Sequence, residues 1–311
     1  MEPETIAFHL GYVVIGEDNK LQEVHFGKEC AQEDLDRHQS AAAFLLKLLD
    51  QSPYAELEGR YFSLKVAIEA LSNPEFNSSH THSQTAKIRQ AMDDFLSAFR
   101  AFDDRTSRSL KKDFGERSVE FTTFKSALSE EFDNSFAYRF TYKLRNYSQH
   151  CGNVPMTGKV HATLEADGSK TKTVDLNFDP IELLAEFDAW GSIVKNELKT
   201  MSGEFPVEAV VDQAMTSCMI AHVKLFMAHK EAAAGFAHYI LTLGASSENP
   251  KKRPTFFTLK KEQWVNVVNS DQLHDFTMEY VRLDLANRTL KALRDGAKIL
   301  STIVPTQNRH K

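Results

Sequence analysis

Apolar residues recur along most of the chain at the three- and four-residue spacing of an α-helix. The clearest case is a row of Phe and Leu in which every step is four residues: Phe124, Leu128, Phe132, Phe136, Phe140 and Leu144. Pro-containing breaks separate several of the periodic stretches. The pattern predicts helices over residues 32–49, 53–71, 83–103, 121–150, 181–200, 207–243 and 272–303.

Two shorter regions alternate apolar and polar residues, as half-buried β-strands do. Residues 6–15 and 21–26 are predicted to be two strands joined by a turn at residues 16–20. Residues 159–165 and 172–178 alternate around Asp167-Gly168, a pair that favours a tight hairpin turn. A further short strand is expected at 256–259.

These elements indicate a mainly α fold, in which a helical bundle carries a short N-terminal β-hairpin and an inserted central β-hairpin. We expect three parts. Residues 1–30 form the N-terminal hairpin, and residues 31–245 form the helical body with its hairpin insertion at 159–178. Residues 246–311 form a C-terminal helical extension.

The composition is that of an ordinary globular protein, with 311 residues, 42% hydrophobic and 26% charged. No apolar run approaches the roughly 20 residues that cross a bilayer, and the acidic start 1–4 lacks the basic region of a secretory signal. Cys30, Cys151 and Cys218 match no metal or disulfide spacing. We therefore expect a cytoplasmic protein with no membrane partner. The net charge of −6 argues against indiscriminate nucleic-acid binding but allows a small basic cleft.

One hexapeptide concentrates groups that can grip a phosphate and move a proton: Arg145-Asn146-Tyr147-Ser148-Gln149-His150. It lies at the end of the Phe-rich helix. On one helical face, Asn146 and His150 lie about 40° apart. Arg145 lies about 140° from His150, a separation that its long side chain can span.

The same helix is expected to present further polar groups beside this motif. Arg139 and Lys143 fall on nearly the same face as His150, Tyr142 borders that face, and Gln149 belongs to the motif itself. These four residues are predicted to contact RNA. Gly152 is a natural helix C-cap, so His150 should lie where the helix dipole favours its charged form.

The chemistry that these residue types allow is metal-free cleavage of RNA. A guanidinium binds phosphate oxygens in a bidentate manner, and an imidazolium near neutral pH can act as a general acid. RNA supplies its own nucleophile, the 2′-OH, so positioning, charge neutralisation and proton transfer are what the protein must add. Arg145 and His150 are the predicted catalytic pair, and Asn146 can orient either one.

Arg-Asn-x-x-x-His resembles the Arg-x(4–6)-His signature of the HEPN superfamily (higher eukaryotes and prokaryotes nucleotide-binding), in which a polar residue, often Asn, follows the Arg. Arg145, Asn146 and His150 match these positions. The resemblance implies an all-α bundle that dimerises so that both motifs line one cleft. It also implies a metal-independent endoribonuclease that needs no cofactor, commonly in toxin–antitoxin, phage-defence or RNA-processing roles. RNA, a second copy paired across the Arg145–His150 helix, and an antitoxin or regulatory protein are the expected partners. The strands and residues 182–311 exceed a minimal HEPN bundle.

Other interpretations of the same residues remain open. The motif could be a polar cluster that satisfies the carbonyl groups at a helix end, or part of a non-catalytic HEPN-like module that binds RNA or nucleotides. The chain could also be a helical regulatory interaction protein. Two histidine groups compete as metal sites, His80 with His82 and His222 with His229 and His238. Neither has the ligand spacing of a zinc site, so no metal is predicted.

Overall fold

The computed structural model describes residues 6–72, 81–164, 170–244, 251–260 and 276–303. The protein is mainly helical with two small antiparallel sheets, as predicted. The strands are β1 (Ile6–Ile15), β2 (Leu21–Cys30), β3 (Thr157–Leu164), β4 (Lys170–Phe178), β5 (Phe205–Pro206), β6 (Lys252–Lys260) and β7 (Thr277–Tyr280). The helices are α1 (Gln32–Leu49), α2 (Pro53–Glu69), α3 (Thr81–Asp113), α4 (Val119–Asn134), α5 (Phe136–Cys151), α6 (Pro180–Glu186), α7 (Ser192–Thr200), α8 (Val207–Ala228), α9 (Lys230–Gly244) and α10 (Leu283–Ile303).

The chain forms two compact units. The first comprises Met1–Asp50 and His229–Ser301, and the second comprises Gln51–Ala228 and Thr302–Lys311. These boundaries differ from the predicted division at residues 30 and 245. The difference arises because segments from both ends of the sequence share the sheet of the first unit.

The first unit is built on a sheet with strand order β2-β1-β6-β7. The predicted N-terminal hairpin is confirmed, and β1 also pairs antiparallel with β6 from Ile6 opposite Lys260 to Val14 opposite Lys252. One face of the sheet packs Phe256 into a core with residues of α1, α9 and α10. On the other face, Val13 is buried with Phe257. Apolar side chains on both faces hold β1 in the middle of the sheet.

A bulge between β1 and β2 brings two glycines together. Leu10 lies opposite Lys28 and Tyr12 lies opposite His25. Gly11 on β1 therefore lies opposite two residues of β2, Phe26 and Gly27. A Cβ on Gly11 would lie 2.0 Å from the His25 carbonyl oxygen. A Cβ on Gly27 would likewise lie 2.0 Å from the Leu10 carbonyl oxygen, so only glycine fits at either position.

Replacing Gly11 by alanine is therefore expected to destabilise the first unit by about 3 kcal/mol, because either the hydrogen-bonded strands must separate or the new methyl group clashes. Urea unfolding followed by circular dichroism measures this loss. Gly235→Ala is the matched control, because Gly235 lies in α9 with nothing within 4 Å of an added Cβ. That control should gain about 1 kcal/mol of stability from helix propensity. Equal effects of the two substitutions would contradict the bulge argument.

The second unit is a bundle in which α5 packs against α3, α4, α7 and α8. Its core contains the predicted row of Phe and Leu, with Phe124, Phe140 and Leu144 buried. The small sheet β3-β4-β5 is attached to this bundle, and its predicted β3–β4 hairpin is confirmed. The predicted turn at Asp167-Gly168 lies outside the described residues.

The prediction of one helix over residues 121–150 is wrong. Ser135 adopts an extended conformation with φ −113° and ψ 112°, and its backbone N–H donates to the Glu131 carbonyl group at the end of α4. Its hydroxyl accepts a hydrogen bond at 3.2 Å from the backbone N–H of Tyr138 in the first turn of α5. Ser135 therefore ends one helix and caps the next, as serine commonly does.

Three further predicted helices also differ from the structure. The stretch 181–200 is divided into α6 and α7 by residues 187–191, and Gly191, whose φ is +77°, directly precedes α7. The stretch 207–243 is divided into α8 and α9 next to His229, and 272–303 contains β7 before α10. The third helix is longer than predicted, because α3 continues to Asp113 through the charged residues after 103.

Candidate functional site

The motif occupies the last two turns of α5, as predicted. The helix ends at Cys151, and Gly152 follows with a φ of +96°, a conformation that favours glycine. Leu144 and Tyr147 point into the core, whereas Gln149 and His150 are exposed. Arg145 and Asn146 are half-buried. The buried residues thus fix the helix while the polar residues of the motif remain at or near the surface.

The segment Glu186–Gly191, between α6 and α7, covers one face of this helix end. Tyr147 donates its hydroxyl hydrogen to the carboxylate of Glu186, and the thiol of Cys151 donates to the Glu186 carbonyl oxygen at 3.4 Å. Burial raises the pKa of Tyr147 above its usual range, with the hydrogen bond to Glu186 as a second cause, so this hydroxyl remains a donor. Trp190, which is fully buried, stacks on the Tyr147 ring at 5.9 Å.

Lys143 lies on the same side of α5 as this segment. A Cβ on Gly191 would lie 3.6 Å from Lys143 Cε, so the glycine leaves room for the lysine side chain. Lys143 forms no ion pair within the described ranges. Its ammonium group is therefore available near the motif.

Arg145 has an unsatisfied guanidinium nitrogen. Its Nε atom is buried and has no hydrogen-bond partner among the residues that the structure describes. Three residues later, Ser148 donates a hydrogen bond of 2.7 Å to Asp93 on α3. A buried donor without a partner costs roughly 1–3 kcal/mol, and a bound water or a ligand that reaches this nitrogen would recover that cost.

His150 is exposed but has one neighbour of defined geometry. Its imidazole lies nearly parallel to the Phe187 ring, with centroids 6.5 Å apart and planes 14° apart. Its ring makes no hydrogen bond or ion pair with any described residue. Both ring nitrogens therefore remain available for proton transfer.

The polar face predicted for this helix is interrupted at Arg139. This side chain is 9% exposed, forms an ion pair with Glu197 on α7, and donates to the Phe132 carbonyl oxygen. The expectation that Arg139 is free on the surface is therefore wrong, because a remote acid and a helix-end carbonyl group satisfy it. Burial disfavours Arg139 as an RNA contact, and that role stays a prediction.

Tyr142 is also engaged within the protein. The guanidinium carbon of Arg100 lies 4.7 Å from the centroid of its ring, and Phe132 approaches it edge-on at 6.2 Å. Gln149 is exposed without such contacts. Gln149 and Lys143 are therefore the more accessible members of the predicted RNA-contacting set.

Sequence reasoning missed the residues that surround the motif. Glu186, Phe187, Trp190 and Asp93 come from other elements, and no local pattern links them to α5. The sequence offers one local signal there: Gly191, which directly follows Trp190 and marks a break between helices. The motif itself was predictable because its residues are local.

The competing histidines form no metal site within the described part of the chain, where no group of three or more His, Cys, Asp or Glu could hold an ion. His222 stacks on Tyr54 with centroids 4.3 Å apart, and His229 contacts Phe44 edge-on. His80 lies outside the described residues, as does the side chain of His82.

His222 provides a test by pH. Burial lowers its pKa to about 4 from 6.5, so the folded protein keeps it neutral where the unfolded chain takes up a proton. The free energy of unfolding should therefore fall as the pH drops from about 6.5 to about 4, by at most about 1.4 kcal/mol per pH unit from this group. In His222→Phe, which keeps an aromatic ring against Tyr54, that part of the slope should disappear. Urea unfolding of both proteins at several pH values measures it, and identical slopes would refute the assignment.

None of the described helices combines the length and the apolar character that crossing a membrane requires. Comparison with protein-family models, curated proteins and solved structures finds no match for this chain. The resemblance to the HEPN superfamily therefore rests on the motif and its helical setting.

Proposed function

We propose that this chain is a HEPN-like endoribonuclease that cleaves RNA without a metal, with Arg145 and His150 as its catalytic residues. The observation that carries the proposal is the end of α5, where a guanidinium with a buried Nε lies five residues before an exposed imidazole, and neither group has a hydrogen-bond partner among the described residues. Asn146 lies between these two residues in the sequence and is half-buried. We propose that it orients the phosphate or the imidazole.

The proposed reaction is an intramolecular phosphoryl transfer. The 2′-oxygen attacks the adjacent phosphorus, the bond from phosphorus to the 5′-oxygen breaks, and the products are a 2′,3′-cyclic phosphate and a 5′-hydroxyl. Arg145 neutralises the charge that develops on the non-bridging oxygens, and the imidazolium of His150 donates a proton to the departing 5′-oxygen. Lys143 and Gln149 are proposed to contact the RNA backbone on either side of the cleaved phosphate.

One histidine supplies one of the two proton transfers that the reaction needs. The second must come from elsewhere, because the 2′-OH also has to lose its proton. We therefore propose a homodimer across the Arg145–His150 helix, in which two motifs line one cleft. A cytoplasmic toxin or phage-defence effector, restrained by an antitoxin or another regulatory protein, is the role that the resemblance favours.

The deciding experiment incubates the purified full chain with total RNA in EDTA and analyses the products on a denaturing gel. Cleavage by the parent protein and its loss in the Arg145→Ala/His150→Ala double variant are expected. His161→Ala is the matched control, because this histidine is 60% exposed on β3 and lies outside the motif. Cleavage by the double variant at the parent rate would refute the proposal.

One observation favours a second candidate, a non-catalytic module that binds RNA or nucleotides. Arg145 and His150 project about 140° apart on α5, an arrangement that suits two separate contacts as well as one reaction centre. This candidate predicts salt-sensitive RNA binding without a cleavage product. A helical regulatory protein predicts neither binding nor cleavage.

A further inference from the structure

We propose that Phe187 is a positioning residue for His150, which rests on the proposed function and assigns a role within it. Phe187 directly follows α6, in an extended conformation with φ −142° and ψ 125°. It is 8% exposed, so its ring belongs to the core of the second unit although His150 lies at the surface. The contact between the two rings thus links an exposed side chain to a fixed part of the protein.

Neighbouring aromatic rings hold Phe187 in place. Tyr147 meets it at 5.7 Å with planes 75° apart, and Trp190 meets it at 5.3 Å with planes 88° apart. Trp190 is itself fixed by a 3.0 Å hydrogen bond from its indole N–H to the Leu183 carbonyl oxygen. These edge-to-face contacts fix the plane of the Phe187 ring, and the His150 ring lies nearly parallel to that plane with its centroid 6.5 Å away.

Glu186, the residue before Phe187, is attached to α5 on both sides of His150 in sequence, through its side chain and through its backbone carbonyl group. Glu186 accepts hydrogen bonds from Tyr147, three residues before His150, and from Cys151, the residue after it. The spacing between Phe187 and the last turn of α5 is therefore set by two contacts that do not involve the imidazole. Helix ends often fray, and these two contacts hold the last turn of α5 next to Phe187.

The consequence for the reaction is a restricted imidazole. A surface histidine without hydrogen bonds samples several staggered rotamers, and only some of them direct a ring nitrogen at a substrate. Stacking on Phe187 favours the rotamers whose ring plane is parallel to that surface while leaving both ring nitrogens uncovered at the ring edge. Correct placement of a catalytic group accounts for large rate factors, and small misplacements cost up to about 100-fold.

The test compares Phe187→Leu, which removes the flat face but keeps an apolar side chain, with Phe187→Tyr, which keeps the ring. In the full chain, NMR of the His150 ring protons should show a ring-current shift that is lost in Phe187→Leu and kept in Phe187→Tyr. RNA cleavage by Phe187→Leu should show a kcat reduced roughly 10- to 100-fold with little change in KM, and Phe187→Tyr should restore most of it.

Phe205→Leu is the control for general loosening of the core, because Phe205 belongs to the same aromatic cluster, contacts Phe140 and Phe178, and does not touch His150. This control should keep the parent kcat. If the parent cleaves RNA and Phe187→Leu cleaves equally fast, the positioning role is wrong while the proposed function stands. If Phe205→Leu loses as much kcat as Phe187→Leu, the effect is one of packing and the positioning role is again wrong. If the parent cleaves no RNA, both proposals are wrong.

Discussion

Removing the imidazole of His150 is expected to slow RNA cleavage by about 10²- to 10⁴-fold, the range typical for loss of a general acid or base. Because His150 is exposed and makes no hydrogen bond with a described residue, His150→Ala should change the free energy of unfolding by less than about 0.5 kcal/mol. The loss of rate would therefore report chemistry rather than folding. Single-turnover cleavage of a defined RNA, together with circular dichroism, measures both quantities.

Arg145 differs from His150 in that a conservative substitution, lysine, keeps its charge. Arg145→Ala is expected to lower the rate by about 10²- to 10³-fold, because the charge on the phosphorane is left without its cation. Arg145→Lys keeps the charge but loses the planar fork, so it should recover only part of the rate. A full recovery by lysine would show that bidentate contact is unnecessary, and unchanged rates in both alanine variants would remove the motif from the mechanism.

The second large effect is expected at Trp190, whose replacement by alanine should destabilise the second unit by about 3–5 kcal/mol. The indole is fully buried, lies nearly parallel to Phe140 with centroids 5.5 Å apart, and donates to the Leu183 carbonyl oxygen. Its loss would leave a large cavity between α5 and the segment Glu186–Gly191 and would remove the hydrogen bond to the Leu183 carbonyl group in α6. The proposed RNA cleavage should also be lost as the second unit unfolds, since this segment holds the end of α5.

Urea unfolding followed by near-ultraviolet circular dichroism is the measurement for Trp190→Ala. Ile193→Ala provides the control, because Ile193 lies three residues away on α7 and is 55% exposed. Its effect should stay within about 0.5 kcal/mol. A Trp190→Ala protein as stable as this control would contradict the packing described for the aromatic cluster.

The sequence predicted the helical class and both hairpins because these depend on local periodicity and turn residues. It failed at the breaks inside long helices, because the apolar spacing continues through them. Phe132 and Phe136 keep a four-residue step across Ser135, although the serine caps a new helix there. Pairing of β1 with β6 was also not predictable, since no local pattern identifies a partner so distant in sequence.

In the candidate site, too, the features with a local signal were predictable and those that depend on distant residues were not. The position of His150 at the helix end follows from Gly152, a local signal. The burial of Arg139 depends on Glu197, and the stacking of His150 depends on Phe187, both from elements that follow the central hairpin. A helical wheel shows which face a residue occupies, but the neighbours that cover this face are determined by tertiary packing.

The division of the first unit between the two ends of the sequence has a consequence for biosynthesis. When β1 and α1 leave the ribosome, β6 has yet to be translated, and roughly 10–50 s pass before it emerges at 5–20 residues per second. During that interval Gln51–Ala228 can fold as a nascent bundle, while β1 can pair with β2 but still lacks its second partner strand, β6. Exposed strands of this kind are ligands for chaperones. We therefore expect the yield of native protein to depend on a chaperone that retains the N-terminal segment until translation reaches β6.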